Sequence, residues 1–151
     1  MRKLAILTGL LLCTLLNAQY KSQVWVADQD NGRYRNHLLY ADYSDPDVSR
    51  VGDDYYMTAS SFGCVPGLPI LHSRGLVNWQ LVNSALKDLY FEGVEPVNFF
   101  DKAQHGKGVW APCIRHHNGE YMIYWGDPDF GIYVVKTRNI LGKWDKPILV
   151  L

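Results

Sequence analysis

The chain has 151 residues, 48% of them hydrophobic, and its 15 Lys and Arg balance its 15 Asp and Glu. This composition excludes a disordered tail, which would be poor in apolar residues and strongly charged. It also excludes a basic nucleic-acid-binding module, because no excess of positive charge is available to neutralise phosphates. The 10 Tyr, 5 Trp and 5 Phe instead favour β-strands and pockets that hold small molecules.

The beginning of the chain is typical of a secretory signal peptide. Arg2 and Lys3 precede an apolar run from Leu4 to Leu16, and Ala18 supplies a small residue at the cleavage point. The run is shorter than the roughly 20 apolar residues that span a bilayer. We therefore expect residues 1–18 to be removed and residues 19–36 to lead into the folded domain. The product is expected to be secreted or periplasmic, without insertion into a membrane.

Cysteine use follows from that cleavage. Cys13 leaves with the signal peptide, so Cys64 and Cys113 remain. Two cysteines are too few for a scaffold built on disulfides, and we expect two separate buried thiols that pack as small hydrophobic groups. A disulfide between them stays open, because the sequence does not show whether their Cβ atoms approach each other.

Short aromatic and β-branched segments, separated by Gly, Asp, Asn and Pro, predict strands in the rest of the chain. These segments are residues 47–51, 55–60, 68–73, 121–125 and 131–136. No segment sustains the apolar spacing of three and four residues that a long helix needs. The predicted fold class is all-β.

This strand pattern occurs twice along the chain. Pro112 and Tyr121 lie 66 positions after Pro46 and Tyr55. Each unit contains a hairpin, a third strand and a fourth strand that carries a tryptophan, and Asn118-Gly119 suits a tight hairpin turn. Four antiparallel strands per repeat are typical of a propeller blade.

The aromatic residues that recur in the two units are predicted to be core: Trp79, Trp144, Tyr55, Tyr56, Tyr121 and Tyr124. Propellers close with about four to eight blades, and two blades alone would leave unpaired edges. The sequence also stops within the apolar segment 148–151. We therefore expect the chain to be the N-terminal fragment of a longer protein.

Several motifs follow one another in a fixed order between residues 37 and 151. Among them are Tyr43-Ser44-Asp45-Pro46-Asp47-Val48, Ser60-Ser61-Phe62 and Gly108-Val109-Trp110-Ala111-Pro112. Together they resemble glycoside hydrolase family 43, the five-bladed β-propeller enzymes that act on glycans containing xylose and arabinose. The resemblance implies that residues 37–151 form the first two blades of an inverting β-xylosidase or α-L-arabinofuranosidase. It implies an oligosaccharide or polysaccharide substrate of the xylan, arabinan or arabinoxylan type, and no cofactor.

The resemblance assigns Asp45 as the general base that activates water. The residues themselves add a physical argument, because Pro46 favours an extended conformation for the residue before it and would hold the carboxylate at the start of an inner strand. A solvated Asp-Pro turn is the alternative. Asp47 is a competitor, since two residues further along a strand it would point to the same face. The resemblance favours Asp45.

Phe62 and Trp110 match aromatic positions that line the sugar subsite in the family. A flat ring complements the C–H face of a pyranose or furanose. Ordinary core packing is the alternative for both residues. Gly108 and Pro112 place Trp110 on a loop that enters an inner strand, which strengthens its assignment to the sugar site.

No metal site is expected. Asp127-Pro128-Asp129 reads as a turn or as a pair of carboxylates at the rim of a cleft, and calcium would need several more oxygen ligands. His105, His116 and His117 lack the spacing of zinc ligands.

The resemblance places the general acid, a Glu, and the Asp that tunes it in blades beyond Leu151. The chain is therefore expected to be inactive as it stands. The alternative is a carbohydrate-binding propeller remnant without hydrolytic activity, and a third possibility is a propeller glycosidase or transferase of a related clan that acts on a different sugar.

Overall fold

The computed structural model describes residues 25–89 and 105–151. The predicted signal peptide, Cys13 and the first part of the predicted lead-in lie outside the described residues. Within the described ranges the regular secondary structure consists of eight strands, which confirms the predicted all-β class. No helix in these ranges is long and apolar enough to cross a membrane.

The strands form two four-stranded antiparallel sheets, each of which follows the chain from one strand to its neighbour. The first sheet contains β1 (Asp47–Val51), β2 (Asp54–Thr58), β3 (Gly67–Ser73) and β4 (Gln80–Leu86). The second contains β5 (Trp110–His117), β6 (Glu120–Asp127), β7 (Gly131–Thr137) and β8 (Ile148–Leu149). Each sheet has the form of a propeller blade, as the sequence repeat predicted.

The hairpin turns have the backbone that their residues favour. Asn118 and Gly119 join β5 to β6 with φ values of 50° and 75°. Positive φ at both central residues is what a tight two-residue hairpin needs, because it matches the twist of the flanking strands. Gly52, with φ of 63°, serves the corresponding turn between β1 and β2.

The tryptophans predicted in the fourth strands lie just before them. Trp79 precedes β4, and its indole Nε1 donates to the Leu76 carbonyl oxygen at 2.9 Å within the connecting loop. Trp79 is half-buried, whereas Trp144 is buried and belongs to the core. The prediction of core burial is confirmed for Trp144 and wrong for Trp79.

One hydrophobic core joins residues of both sheets. Its largest fully buried side chains include Trp125 and Tyr133, whose rings stack with centroids 5.5 Å apart. Tyr124 is exposed, so its predicted core position is wrong. Neighbouring residues of a strand point to opposite faces, and Trp125 is the one that faces inward.

The other tyrosines that were predicted to be core lie at its margin. Tyr56 and Tyr121 are partly buried, and both pack against the core. Tyr55 is also only partly buried. The prediction therefore names the right region of the sheets but overstates how far these rings are buried.

Polar side chains connect the two sheets. The Asn83 Nδ2 atom on β4 donates to the carbonyl oxygens of Ile140 and Gly142 in the second sheet's last connection, both at 2.8 Å. At the inner strands, the Asp47 carboxylate on β1 accepts from the Ile114 N–H on β5 at 2.7 Å. These bonds hold the sheets in one relative position.

The strand directions define two edges of this pair of sheets. The upper edge, as we call it, carries the starts of β1 and β5 and the connections β2–β3 and β6–β7. A backbone bridge between Phe62 and Val109 joins the two sheets there. The lower edge carries the two hairpin turns after β1 and β5.

Both cysteines of the described residues are free. Cys64 is exposed and Cys113 is partly buried. The expectation of two buried thiols is wrong for Cys64, which lies in the tight β2–β3 connection and donates its N–H to the Ser61 carbonyl oxygen at 2.8 Å.

Candidate functional site

The three side chains assigned to catalysis and sugar binding all belong to the upper edge. Asp45 precedes β1, Phe62 lies in the β2–β3 connection, and Trp110 begins β5. They come from both sheets, so their arrangement depends on contacts between the sheets.

Asp45 is exposed and has its carboxylate held on one oxygen. The hydroxyls of Ser44 and Ser60 donate to Asp45 Oδ2 at 2.9 and 2.8 Å. Neither of these hydrogen bonds, and no other from the described residues, goes to Oδ1. The other oxygen, Oδ1, is therefore available to a water molecule.

The backbone of Asp45 differs from the extended conformation that Pro46 predicted. Its φ is 48°, in the left-handed region that Asp tolerates better than most residues. The two serine hydroxyls bind the carboxylate in this conformation. The predicted position just before the inner strand is correct, while the predicted extended backbone is wrong.

Ser60 connects the candidate base to the second sheet. It is only 7% exposed, and its Oγ accepts a hydrogen bond from the Ala111 N–H at 2.8 Å. Its own N–H donates to the Ser44 carbonyl oxygen at 2.9 Å. The residue that follows Trp110 is thus tied through one side chain to Asp45.

Phe62 is tied to the residue before Trp110. The Phe62 N–H donates to the Val109 carbonyl oxygen at 3.0 Å, and the Val109 N–H donates back to the Phe62 oxygen at 3.1 Å. The approach needs a glycine at position 108, where φ is 91° and a Cβ atom would lie 2.5 Å from the Phe62 oxygen. Phe62 is half-buried.

Trp110 is exposed but held in place. It is 44% exposed, and its indole Nε1 donates to the Gly106 carbonyl oxygen at 2.7 Å. Trp125, one of the largest core side chains, is 2% exposed. Trp110 is therefore not a core residue, and its fixed ring has a surface on which a ligand can stack.

Asp47 does not share the surroundings of Asp45. Its Oδ2 accepts from the Ile114 N–H at 2.7 Å and from the Arg115 guanidinium at 2.6 Å. The strand argument for a shared face does not apply, because Asp45 lies before β1 with a φ of 48° and does not continue the strand. These contacts join β1 to β5, so the role of Asp47 in the structure is to hold the two strands together.

Asp127 and Asp129 form the turn between β6 and β7 at the upper edge. The Asp129 N–H donates to Asp127 Oδ1 at 2.9 Å, and Asp129 pairs with the Lys107 ammonium at 2.7 Å. Burial raises the pKa of Asp127 above the ordinary value for Asp. The turn predicted for this segment is confirmed, and it lies at the same edge as Asp45.

Sequence reasoning gave Ser60 no role of its own. Its only signal was its place in the Ser60-Ser61-Phe62 motif directly after a predicted strand. The link to Ala111 spans 51 positions, which no local pattern reveals. Among the described residues, no three His, Cys, Asp or Glu side chains are grouped so that they could hold a metal ion.

Comparison with known proteins adds an independent result. The profile of the Glycosyl hydrolases family 43 matches residues 34–151. The chain is 38% identical over 125 residues to a beta-xylosidase of Formosa agariphila, covering 82% of this chain and 21% of that protein. It is 33% identical over 133 residues to a non-reducing end alpha-L-arabinofuranosidase of Bacteroides ovatus, covering 84% of this chain and 24% of that protein.

A solved structure agrees with this match. The xylan beta-1,4-xylosidase from Bacillus halodurans C-125 superposes with a TM-score of 0.64 at 34% identity, over 77% of this chain and 23% of that one. The two sheets therefore correspond to part of the propeller of that enzyme. The chain spans about a fifth to a quarter of the length of these three proteins.

The close approach of Gly108 to Phe62 leads to a first prediction. Gly108→Ala should lower the free energy of unfolding of the 151-residue chain by about 2–4 kcal/mol, because the new Cβ meets a backbone oxygen at a positive φ. Gly106→Ala is the matched control, since Gly106 also has a positive φ but open space around it, and should cost about 1 kcal/mol. Urea denaturation measures both, and equal losses would contradict a required close approach.

Proposed function

Because the chain belongs to glycosyl hydrolases family 43, we propose that its two blades carry the general base and part of the sugar-binding surface of a glycosidase. The proposed activity is that of a β-xylosidase or an α-L-arabinofuranosidase, acting on xylan, arabinan or arabinoxylan-type chains. The observation that supports it most is the exposed Asp45 carboxylate, held by two hydroxyls on one oxygen. The Asp47 carboxylate is instead bound by the Ile114 N–H and the Arg115 guanidinium on the neighbouring strand.

In the proposed reaction, Asp45 Oδ1 accepts a proton from a water molecule. The water oxygen attacks the anomeric carbon as the bond to the leaving oxygen breaks, so the configuration inverts. The serine hydroxyls on Oδ2 keep the carboxylate from rotating. A base fixed in this way meets the water without reorganising during the reaction.

Inversion also needs a carboxylic acid on the other side of the scissile bond. The two carboxyl groups of an inverting glycosidase lie about 6.5–9.5 Å apart. In this proposal the acid belongs to a blade that residues 1–151 do not contain, and these residues supply the base. At the described upper edge, burial raises the pKa of Asp127 above the ordinary value for Asp, so we test this carboxyl group as an alternative acid below.

The aromatic residues supply the proposed sugar contacts. Trp110 offers an exposed ring fixed by its hydrogen bond to Gly106, and the backbone of Phe62 pairs with Val109, the residue before Trp110. Sugar rings bind such faces through their C–H groups while polar groups bind the edges. The similar proteins include a beta-xylosidase and an alpha-L-arabinofuranosidase, so both pentoses remain in the proposal.

We expect Asp45→Asn to remove nearly all turnover of the protein expressed from the complete reading frame that encodes these residues. Removal of a general base costs about 10²–10⁴ in rate, while Asn preserves the size of the side chain. Aryl xyloside and aryl arabinofuranoside assays measure kcat and KM. Asp47→Asn is the matched control: it should lower the free energy of unfolding, because Asp47 joins β1 to β5, and should change kcat much less than Asp45→Asn does. Retained turnover in Asp45→Asn, with loss in Asp47→Asn, would contradict the assignment.

Trp110→Ala should weaken the sugar complex by about 1–3 kcal/mol, in line with the apolar surface that a stacked sugar covers. A core tryptophan would instead cost about 3–5 kcal/mol of folding stability. Trp79→Ala is a suitable control, because Trp79 is half-buried and lies at the lower edge, with its indole on a nearby carbonyl oxygen. Oligosaccharide titration and denaturation midpoints separate the two effects. A large loss of stability with unchanged binding would make Trp110 structural.

The 151-residue chain on its own should hydrolyse neither aryl glycoside, because base and acid must act on one bond together. The assay uses the purified chain, with a blank and with Asp45→Asn and Asp127→Asn variants. Turnover that both substitutions abolish would show that Asp127 supplies the acid and that two blades suffice.

A further inference from the structure

Ser60 makes three polar contacts, one of them with the candidate base, Asp45. Its N–H donates to the Ser44 carbonyl oxygen at 2.9 Å, and its hydroxyl lies 2.8 Å from Asp45 Oδ2. The Ala111 N–H donates to the same hydroxyl oxygen at 2.8 Å. The side chain is buried between the two sheets, with 7% of the residue exposed.

The donors and acceptors fix the direction of this chain of hydrogen bonds. A backbone N–H can only donate, so the Ser60 oxygen is the acceptor toward Ala111. The hydroxyl has a single proton, and a carboxylate only accepts. The proton therefore points at Asp45 Oδ2, and the sequence runs from Ala111 N–H through Ser60 O–H to the carboxylate.

We propose that Ser60 is the positioning residue of the general base: its hydroxyl, which accepts from Ala111 of the second sheet, orients the Asp45 carboxylate and leaves Oδ1 for the attacking water. This inference rests on the proposed function of Asp45. Ser44 donates to the same oxygen but is the neighbouring residue, so it moves together with Asp45. Ser60 instead links the carboxylate to Ala111, the residue after Trp110. The base and the sugar-facing ring are thereby held relative to one another.

Ser61 offers a matched control for this role. It is the next residue of the same loop and is 9% exposed, and its hydroxyl accepts from the buried Leu68 N–H at 3.1 Å. Ser61→Ala thus removes a buried hydroxyl and one hydrogen bond, but the hydroxyl it removes does not reach Asp45. A loss that comes only from loop stability should be similar in Ser60→Ala and Ser61→Ala.

The first measurement needs no activity. In the 151-residue chain, we follow the Ala111 amide resonance and the Asp45 carboxyl carbon by NMR as a function of pH. We expect one common midpoint in the wild type and in Ser61→Ala, and loss of the Ala111 response in Ser60→Ala. Three other charged residues lie on β5, on its partner β6 or against β5: Arg115, Asp127 and Asp47. The Asp45→Asn variant therefore identifies the part of the Ala111 response that is due to Asp45. An Ala111 response that persists in Ser60→Ala, or is absent in the wild type, would overturn the inference.

The second measurement uses the glycosidase expressed from the complete reading frame. Ser60→Ala should lower kcat by about 10-fold to 100-fold with KM within about twofold, since a misplaced base affects the transition state more than substrate binding. Ser61→Ala should keep kcat near that of the wild type. Equal losses of kcat in the two variants, or wild-type kinetics in Ser60→Ala, would overturn the positioning role.

The two measurements separate the inference from the function on which it rests. Full activity of Asp45→Asn would remove Asp45 as the base, and with it the positioning role of Ser60 in catalysis. An inactive Asp45→Asn together with wild-type kinetics in Ser60→Ala would refute only the role of Ser60.

Discussion

The junction between the β2–β3 connection and the start of β5 is the contact on which the candidate site depends. Two backbone hydrogen bonds join Phe62 to Val109, and the Ser60 hydroxyl joins Ala111 to Asp45. Without this junction, Asp45 and Phe62 of the first sheet would lack these hydrogen-bonded links to the start of β5, where Trp110 lies. The absence of a side chain at Gly108 makes the approach possible, because any Cβ would collide with the Phe62 oxygen.

Asp45 and Asp47 lie two residues apart, but their hydrogen-bond partners differ, and the partners indicate which carboxylate is structural. Asp47 is held by an N–H and a guanidinium of the neighbouring strand, so it has little freedom to accept a proton from water. Asp54, at the lower edge, is bound by His72 and Arg74. The hydrogen bonds from these two side chains hold the pKa of Asp54 below its ordinary value. Asp45 differs from both, because its hydrogen bonds come from neutral hydroxyls on one oxygen.

The sequence predicts those features that depend on neighbouring residues. The strand segments, the two-blade repeat and the Asn118-Gly119 turn all follow from local patterns, and the structure contains them. The faces of β6 do not follow, because Tyr124 and Trp125 are both aromatic and only the pairing decides that Trp125 points inward. The left-handed backbone of Asp45, whose carboxylate accepts from two serine hydroxyls, departs from the extended conformation that Pro46 favours. Ser60 acquires its role from an amide 51 positions away, and such a contact exists only once both sheets have formed.

This arrangement ties the proposed catalysis to the folding of the propeller. A site is more precise when its side chains are fixed by regular elements and by supporting hydrogen bonds than when it rests on free loops. Asp45 lies on a short segment before β1, yet Ser60 anchors it to β5, where Trp110 begins the same strand. A shift between the sheets would therefore move the Asp45 carboxylate and the Trp110 ring relative to each other. The Asn83 and Asp47 bonds between the sheets contribute to the site for this reason, although neither side chain has a place in the proposed reaction.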